Sequence, residues 1–156
     1  MNRIRRDMIK AGGGASLLAL LAAAGFVRPG TAAAAEWNKA AFEVKTVAEA
    51  FTALGAGTPA NSVDILMKAP DIAENGAVVP IAIESRIPAT ESIAVLIERN
   101  PNPLAASFDI PAGTETMITT RVKMGETSNV YALVKANGKY FVAKKEIKVT
   151  SCGCSG

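Results

Sequence analysis

Two cysteines, Cys152 and Cys154, stand one residue apart in the run Thr150-Ser151-Cys152-Gly153-Cys154-Ser155-Gly156, and the chain has no others. A thiol can attack sulfur, couple oxidatively to a sulfur anion, or bind a soft ion such as Cu(I). A stabilising disulfide joins cysteines far apart in sequence, where closing a long loop removes unfolded-state entropy. These two instead sit among glycine and serine, which gives them access and no packing. A free thiol titrates near ~8.5, so part of the population is thiolate near neutral pH without local help.

The remaining composition removes competing chemistry. The chain has no histidine, which excludes Ser/His/Asp and Cys/His catalysis, histidine-held haem and His-containing zinc sites. Two cysteines alone cannot complete a four-cysteine metal site within one chain. No phosphate-cradling glycine loop precedes a helix, because Gly12-Gly13-Gly14 lies in the leader. Glu43, Asp64, Asp71, Glu74 and Glu91 are scattered and read as solvated surface. Lys144-Lys145 reads as a solvated strand face, or as an anion-attracting patch near the tail. Met67, Met117 and Met124 follow the strand pattern and read as packing residues, not metal ligands. Nothing here supplies a base or an electron acceptor to the thiols. The tail can hold a group while a partner performs the redox chemistry, so no metal, no resident cofactor and no catalytic residue is expected.

Residues 1–35 read as an export signal. Arg3, Arg5, Arg6 and Lys10 precede a weakly apolar run from Ala11 to Val27, and Ala33-Ala34-Ala35 offers a small-residue cleavage site before Glu36. Arg5-Arg6-Asp7-Met8-Ile9-Lys10 resembles a twin-arginine signal, with Met8 where phenylalanine is usual. That route implies folding before export to the periplasm. The run is too short and too glycine-rich for a membrane span of ~20 strongly apolar residues; an uncleaved anchor is the competing reading. The whole chain has 17 Lys+Arg against 14 Asp+Glu, net +3. Five of those cations and one anion precede Glu36, leaving 12 against 13, net −1. The basic balance therefore belongs to the leader and argues for neither nucleic acid nor an anionic membrane as partner.

The elements that must position the tail lie in residues 36–149, enough for one domain with one core. Thr46-Val47-Ala48-Glu49 reads as a capping box, followed by Val47, Phe51 and Leu54 at helical spacing until Gly55 and Gly57. A helix over Asn38 to Phe42 has weaker support. From Ser62 onward the period is two. Apolar positions alternate through Val63–Met67, Val79–Ile83, Ile93–Ile97, Leu104–Ile110, Ile118–Met124, Val130–Val134 and Tyr140–Val149. Asn75-Gly76 and Asn137-Gly138 mark turns, the second a tight hairpin. Seven short strands with regular turn signals predict an all-β, immunoglobulin-like antiparallel sandwich with a short N-terminal helical segment. Pro80 predicts an edge strand or a bulge at its position. After Val149 the alternation stops, and residues 150–156 read as a flexible C-terminal arm. At about 3.3 Å per residue those seven residues extend on the order of 23 Å.

The chain resembles the SoxY family of the periplasmic thiosulfate-oxidising system, whose members end in Gly-Gly-Cys-Gly-Gly. Cys154 stands at the position of that cysteine, with Gly153 and Gly156 matching family glycines. The resemblance continues through Ala69-Pro70-Asp71-Ile72-Ala73-Glu74-Asn75-Gly76-Ala77-Val78-Val79-Pro80, Asn100-Pro101-Asn102-Pro103-Leu104 and Lys123-Met124-Gly125-Glu126-Thr127-Ser128. It implies an immunoglobulin-like carrier with no enzyme activity and a SoxZ subunit as heterodimer partner. It also implies covalent attachment of sulfur intermediates at Cys154. The haem c protein SoxAX would load thiosulfate, the hydrolase SoxB would release sulfate, and the sulfane dehydrogenase SoxCD would act in some systems.

Two positions depart from the pattern: Cys152 and Ser155 each replace a glycine. Serine adds little bulk. Cys152 is a possible second thiol or redox switch: it could close a small, strained disulfide with Cys154, attack the adduct there, or have no consequence. The alternative reading of the tail is a Cys-x-Cys copper-binding or thiol–disulfide exchange protein of the periplasm. A third is an exported domain cross-linked to a neighbour.

Overall fold

The computed structural model of the protein describes residues 38–150. Residues 1–37, which include the expected export signal, and residues 151–156, including Cys152, Gly153, Cys154, Ser155 and Gly156, lie outside the described residues. The described residues open with two short helices, α1 (Lys39–Glu43) and α2 (Val47–Ala53). Thr46 Oγ1 accepts from the Glu49 amide while the Glu49 carboxylate accepts from the Thr46 and Lys45 amides, closing the capping box. Asn38 caps α1 by accepting from the Ala41 amide, and its Nδ2 donates to Ala53 O at 2.8 Å, fastening the two helices together.

Nine strands follow: β1 (Ala60–Asn61), β2 (Ile65–Lys68), β3 (Ile72–Ala73), β4 (Val79–Ser85), β5 (Thr90–Ile97), β6 (Leu104–Asp109), β7 (Met117–Val122), β8 (Ser128–Ala136) and β9 (Lys139–Val149). The larger sheet has the order β1-β9-β8-β5-β6, with β3 also paired to β9; the smaller has the order β2-β4-β7. Ile65, Ile81, Ile83, Ile93, Val95, Val130, Val134 and Ile147 fill the space between the sheets. Because strand side chains alternate in direction, Ala94, Leu96, Leu133 and Val142 face the other way. The helices cover them, with Ala41 and Ala50 fully buried in that second cluster. The result is three layers: helices, large sheet, small sheet. The all-β sandwich with a short helical start is as expected. The Asn137-Gly138 turn is also as expected, with both residues at positive φ (50° and 68°).

Three expectations are corrected. First, the sheet is not wholly antiparallel, because β1 and β3 pair with β9 in parallel. At two residues each, they are too short to show a period. Second, Pro80 lies in β4, the middle strand of its sheet, and pairs with Arg121. It is tolerated there because β2 has already ended: its last pairing is Lys68 with Ala82. Pro80's missing donor thus faces no β2 neighbour. Third, β6 does not present one continuous apolar face. A register shift at Val95/Leu96 sends Leu104 to the helix side, while Phe108 packs between the sheets.

Candidate functional site

The last described residue, Thr150, is the root from which the cysteine-bearing tail departs. The strand leading to it, β9, is held on one side by β8 through nine residue pairs ending at Ser128 with Ile147. Beyond that pair the Val149 amide donates to Thr127 Oγ1 at 3.0 Å. On the other side, the Lys148 amide donates to Asp71 O at 3.0 Å and the Thr150 amide to Ala73 O at 3.1 Å. Thus β3 and its flanks grip the final turn of the ladder, which explains why a two-residue strand exists there.

Three loops converge on this root. In residues 69–78, Asn75 forms the turn, its Oδ1 accepting from Ala77 at 2.9 Å. The Met124 amide then donates to Gly76 O at 2.7 Å, joining the second loop to the first. Asn100 joins the third: its Nδ2 donates to Lys123 O at 2.8 Å and its Oδ1 accepts from Gly125 at 3.5 Å. The Arg99 amide donates to Ser128 Oγ at 3.0 Å. These loops contain the three stretches that carry the family resemblance outside the tail: the first bonds Thr150 through Ala73, the second bonds Val149 through Thr127, and the third is bonded to the second.

Gly76 is required here for space, not for backbone conformation. A Cβ added to it would fall inside any permitted contact with Met124 O and 2.8 Å from Val149 Cγ1. Ala73, Met124 and Ile147 are buried in the core cluster between the sheets. Sequence reading identified Gly76 only as a turn residue, and no signal in one sequence separates that role from close packing.

Beside the root is a polar cleft of about 430 Å³ lined by Glu98, Arg99, Thr127, Ser128, Asn129 and Glu146. Its hydroxyls are committed to the backbone: Thr127 accepts from Val149, and Ser128 accepts from Arg99 and donates to Asn129 O at 3.1 Å. Asn129 Nδ2 donates to Glu98 Oε2 at 2.7 Å, and Arg99 pairs with Glu126 at 3.6 Å. Tyr131 is raised above the usual phenol range, first by desolvation and then by the Glu98 carboxylate. No hydroxyl here is paired with a base, so the cleft offers hydrogen bonding and no nucleophile.

The candidate carboxylates are dispersed, as the sequence suggested. Glu91 pairs with Lys135 at 2.8 Å at the opposite end of the sandwich, and Glu43 with Lys39 at 3.4 Å on α1. Lys144 and Lys145 do not share a face, since consecutive strand residues point oppositely. Lys145 reaches the sandwich rim, donating to Ala69 O at 2.5 Å and pairing with Asp71 at 2.9 Å. Met124 is core, whereas Met117 is 49% exposed. Among the described residues, no group of three His, Cys, Asp or Glu side chains is placed to hold a metal ion, and no helix is long and apolar enough to cross a membrane.

Among the described residues the fold is a β-sandwich whose strand β9 is held on both sides up to Thr150, just before the two cysteines in sequence. The family described as sulfur oxidation protein SoxY matches residues 51–154, a span that includes both cysteines. The solved structure of the sulfur carrier protein SoxY from Chlorobium limicola f thiosulfatophilum is 37% identical, with a TM-score of 0.57, covering 64% of this chain and 92% of that one. The chain belongs to the SoxY family, whose members are carriers and not enzymes. A superoxide reductase (neelaredoxin) from Ignicoccus hospitalis aligns at 20% identity and a TM-score of 0.49, covering 55% of this chain and 79% of that one. That fit is too loose to bear on function. No curated protein matches the chain.

Proposed function

We propose that the chain carries thiosulfate-derived sulfur intermediates covalently on Cys154. The observation that carries this reading is the family match, which runs unbroken through the β-sandwich to Cys154. In the loading step the Cys154 thiolate and the outer sulfur of thiosulfate form an S–S bond. Two electrons leave to a haem c partner of SoxAX type, and the product is a cysteine S-thiosulfonate. Hydrolysis by a SoxB-type enzyme adds water across the terminal S–S bond. It releases sulfate and two protons and leaves a persulfide on Cys154, which a SoxCD-type dehydrogenase oxidises in some systems. The chain supplies the attachment point, and its partners supply the acceptor and the water-activating chemistry.

On this reading residues 150–156 form a thin arm in which Gly153, Ser155 and Gly156 keep bulk away from the thiol. SoxZ is the heterodimer partner, and twin-arginine export places the protein in the periplasm. No resident cofactor or metal takes part. The lack of an activated nucleophile in the cleft beside the root agrees with a carrier role.

The test is the intact mass of the mature protein from cells supplied with thiosulfate. Sulfur-containing adducts are expected that reductant removes and that Cys154→Ser lacks. Stoichiometric copper, or loss of two hydrogens with no adduct, would sink the proposal in favour of a metal-binding or thiol-exchange tail.

A further inference from the structure

We propose that Gly76 is the positioning residue of the arm: its bare α-carbon lets Met124 O and Val149 close over it, fixing departure at Thr150. This rests on the reading of residues 151–156 as an arm, and it concerns how far that arm reaches. Val149 is held by a side chain on one face and by loop packing on the other. Its amide is bound by Thr127 Oγ1, and its side chain lies against the Gly76 α-carbon. The neighbouring amides of Lys148 and Thr150 are bound by Asp71 O and Ala73 O, in the stretch that ends at Gly76. Displacing Gly76 therefore disturbs both sides of the root together.

Ile147, by contrast, is fully buried and belongs to the core proper. A root that lets go at Gly76 retreats to Ile147 and stops there. The tether to Cys154 then lengthens from four residues to seven, and its r.m.s. span grows by about 1.3-fold, as the square root of length. Longer tethers dilute the thiol at a partner's active site, because effective concentration falls steeply once length exceeds the span required. Gly76 thereby sets the working radius of the thiol without touching it.

The experiment compares Gly76→Ala with Gly125→Ala in the full mature chain. Gly125 serves as the matched control because a Cβ there meets nothing within 4 Å. Amide hydrogen exchange at Lys148, Val149 and Thr150 is expected to speed up about tenfold or more in Gly76→Ala, with Ile93 and Val134 unchanged, a local opening and not a global one. In a Cys152→Ser, Lys139→Cys background, spin labels on Cys154 and at position 139 are expected to show a distance distribution about 1.3-fold broader. Gly125→Ala is expected to leave both the exchange rates and the distribution as in the parent. Should Gly76→Ala fail to fold, Thr127→Val removes one hydrogen bond from the same root without a clash and is expected to shift both readouts the same way. Unchanged exchange at residues 148–150, or an unchanged distribution despite faster exchange, overturns the proposal. Neither readout depends on sulfur loading, so a failure of the carrier reading would show separately, as the absence of adduct on Cys154.

Discussion

The Tyr140 hydroxyl donates to Leu54 O at 2.7 Å, tying the C-terminal cap of α2 to the start of β9 across 86 residues of sequence. The phenol thereby satisfies a helix-end carbonyl that the helix itself cannot. Through β9, the helical layer and the tail's root share one strand.

Tyr140→Phe keeps the ring and removes that bond. The expected cost is about 1 kcal/mol, the usual worth of a partly buried hydrogen bond. Thermal unfolding should record a midpoint lower by about 4 °C. An unchanged midpoint would show that water serves the Leu54 carbonyl equally well.

Ala89 sits at φ 54° in the turn between β4 and β5, a left-handed conformation in which its Cβ crowds the backbone. Ala89→Gly is expected to stabilise the protein by about 1 kcal/mol, the relief outweighing the added freedom of the unfolded chain. Denaturant titration with an unchanged m-value and a higher midpoint would bear this out; a lower midpoint would count against it.

The Glu91–Lys135 pair predicts a pH signature. The Lys135 ammonium, and then the Gly138 amide, hold Glu91 below its ordinary 4.5. Glu91 in turn holds Lys135 above its ordinary 10.5. Glu91's contribution is fully present above about pH 4.5 and is lost as pH falls through its lower folded value. Lys135's is fully present below about pH 10.5 and is lost as pH rises through its higher one. The stability difference between parent and Glu91→Gln should therefore be level between those limits and shrink outside them. Both groups are solvent-exposed, so the difference is expected to be small and to weaken with salt. A difference that grows below pH 4.5 would refute the assignment.

Cys152→Gly removes the second thiol next to the proposed attachment site, Cys154. If Cys152 acts as a switch, oxidation of the unloaded parent should remove two hydrogens and block loading, and Cys152→Gly should load under the same conditions. Equal loading of both chains by intact mass would leave Cys152 without a role in the cycle.

Local chemistry was legible in the sequence where the cause lies within a few residues. Thr46 and Glu49 cap α2, Asn137-Gly138 turns the last hairpin, and the period of two marks β4, whose Val79, Ile81 and Ile83 all face the core. What escaped the sequence depends on partners distant in the chain. β3 exists because Asp71 and Ala73 meet the amides of Lys148 and Thr150. Pro80 is tolerated in a middle strand because β2 stops short of it. Leu104 changes face because one extra residue shifts register against β5. The thiols were legible as chemistry from their surroundings alone. The clamp that sets their starting point was not, since Gly76 and Thr127 look like ordinary turn residues until Val149 is placed between them.

The pairing of β9 also has a mechanical consequence. A tug on the tail that follows the line of the strand loads the nine β8–β9 pairs and the β3 contacts in shear, so they resist together and do not peel one at a time. Force entering through Thr150 is thus spread across the larger sheet, and the body of the protein takes it as a single piece.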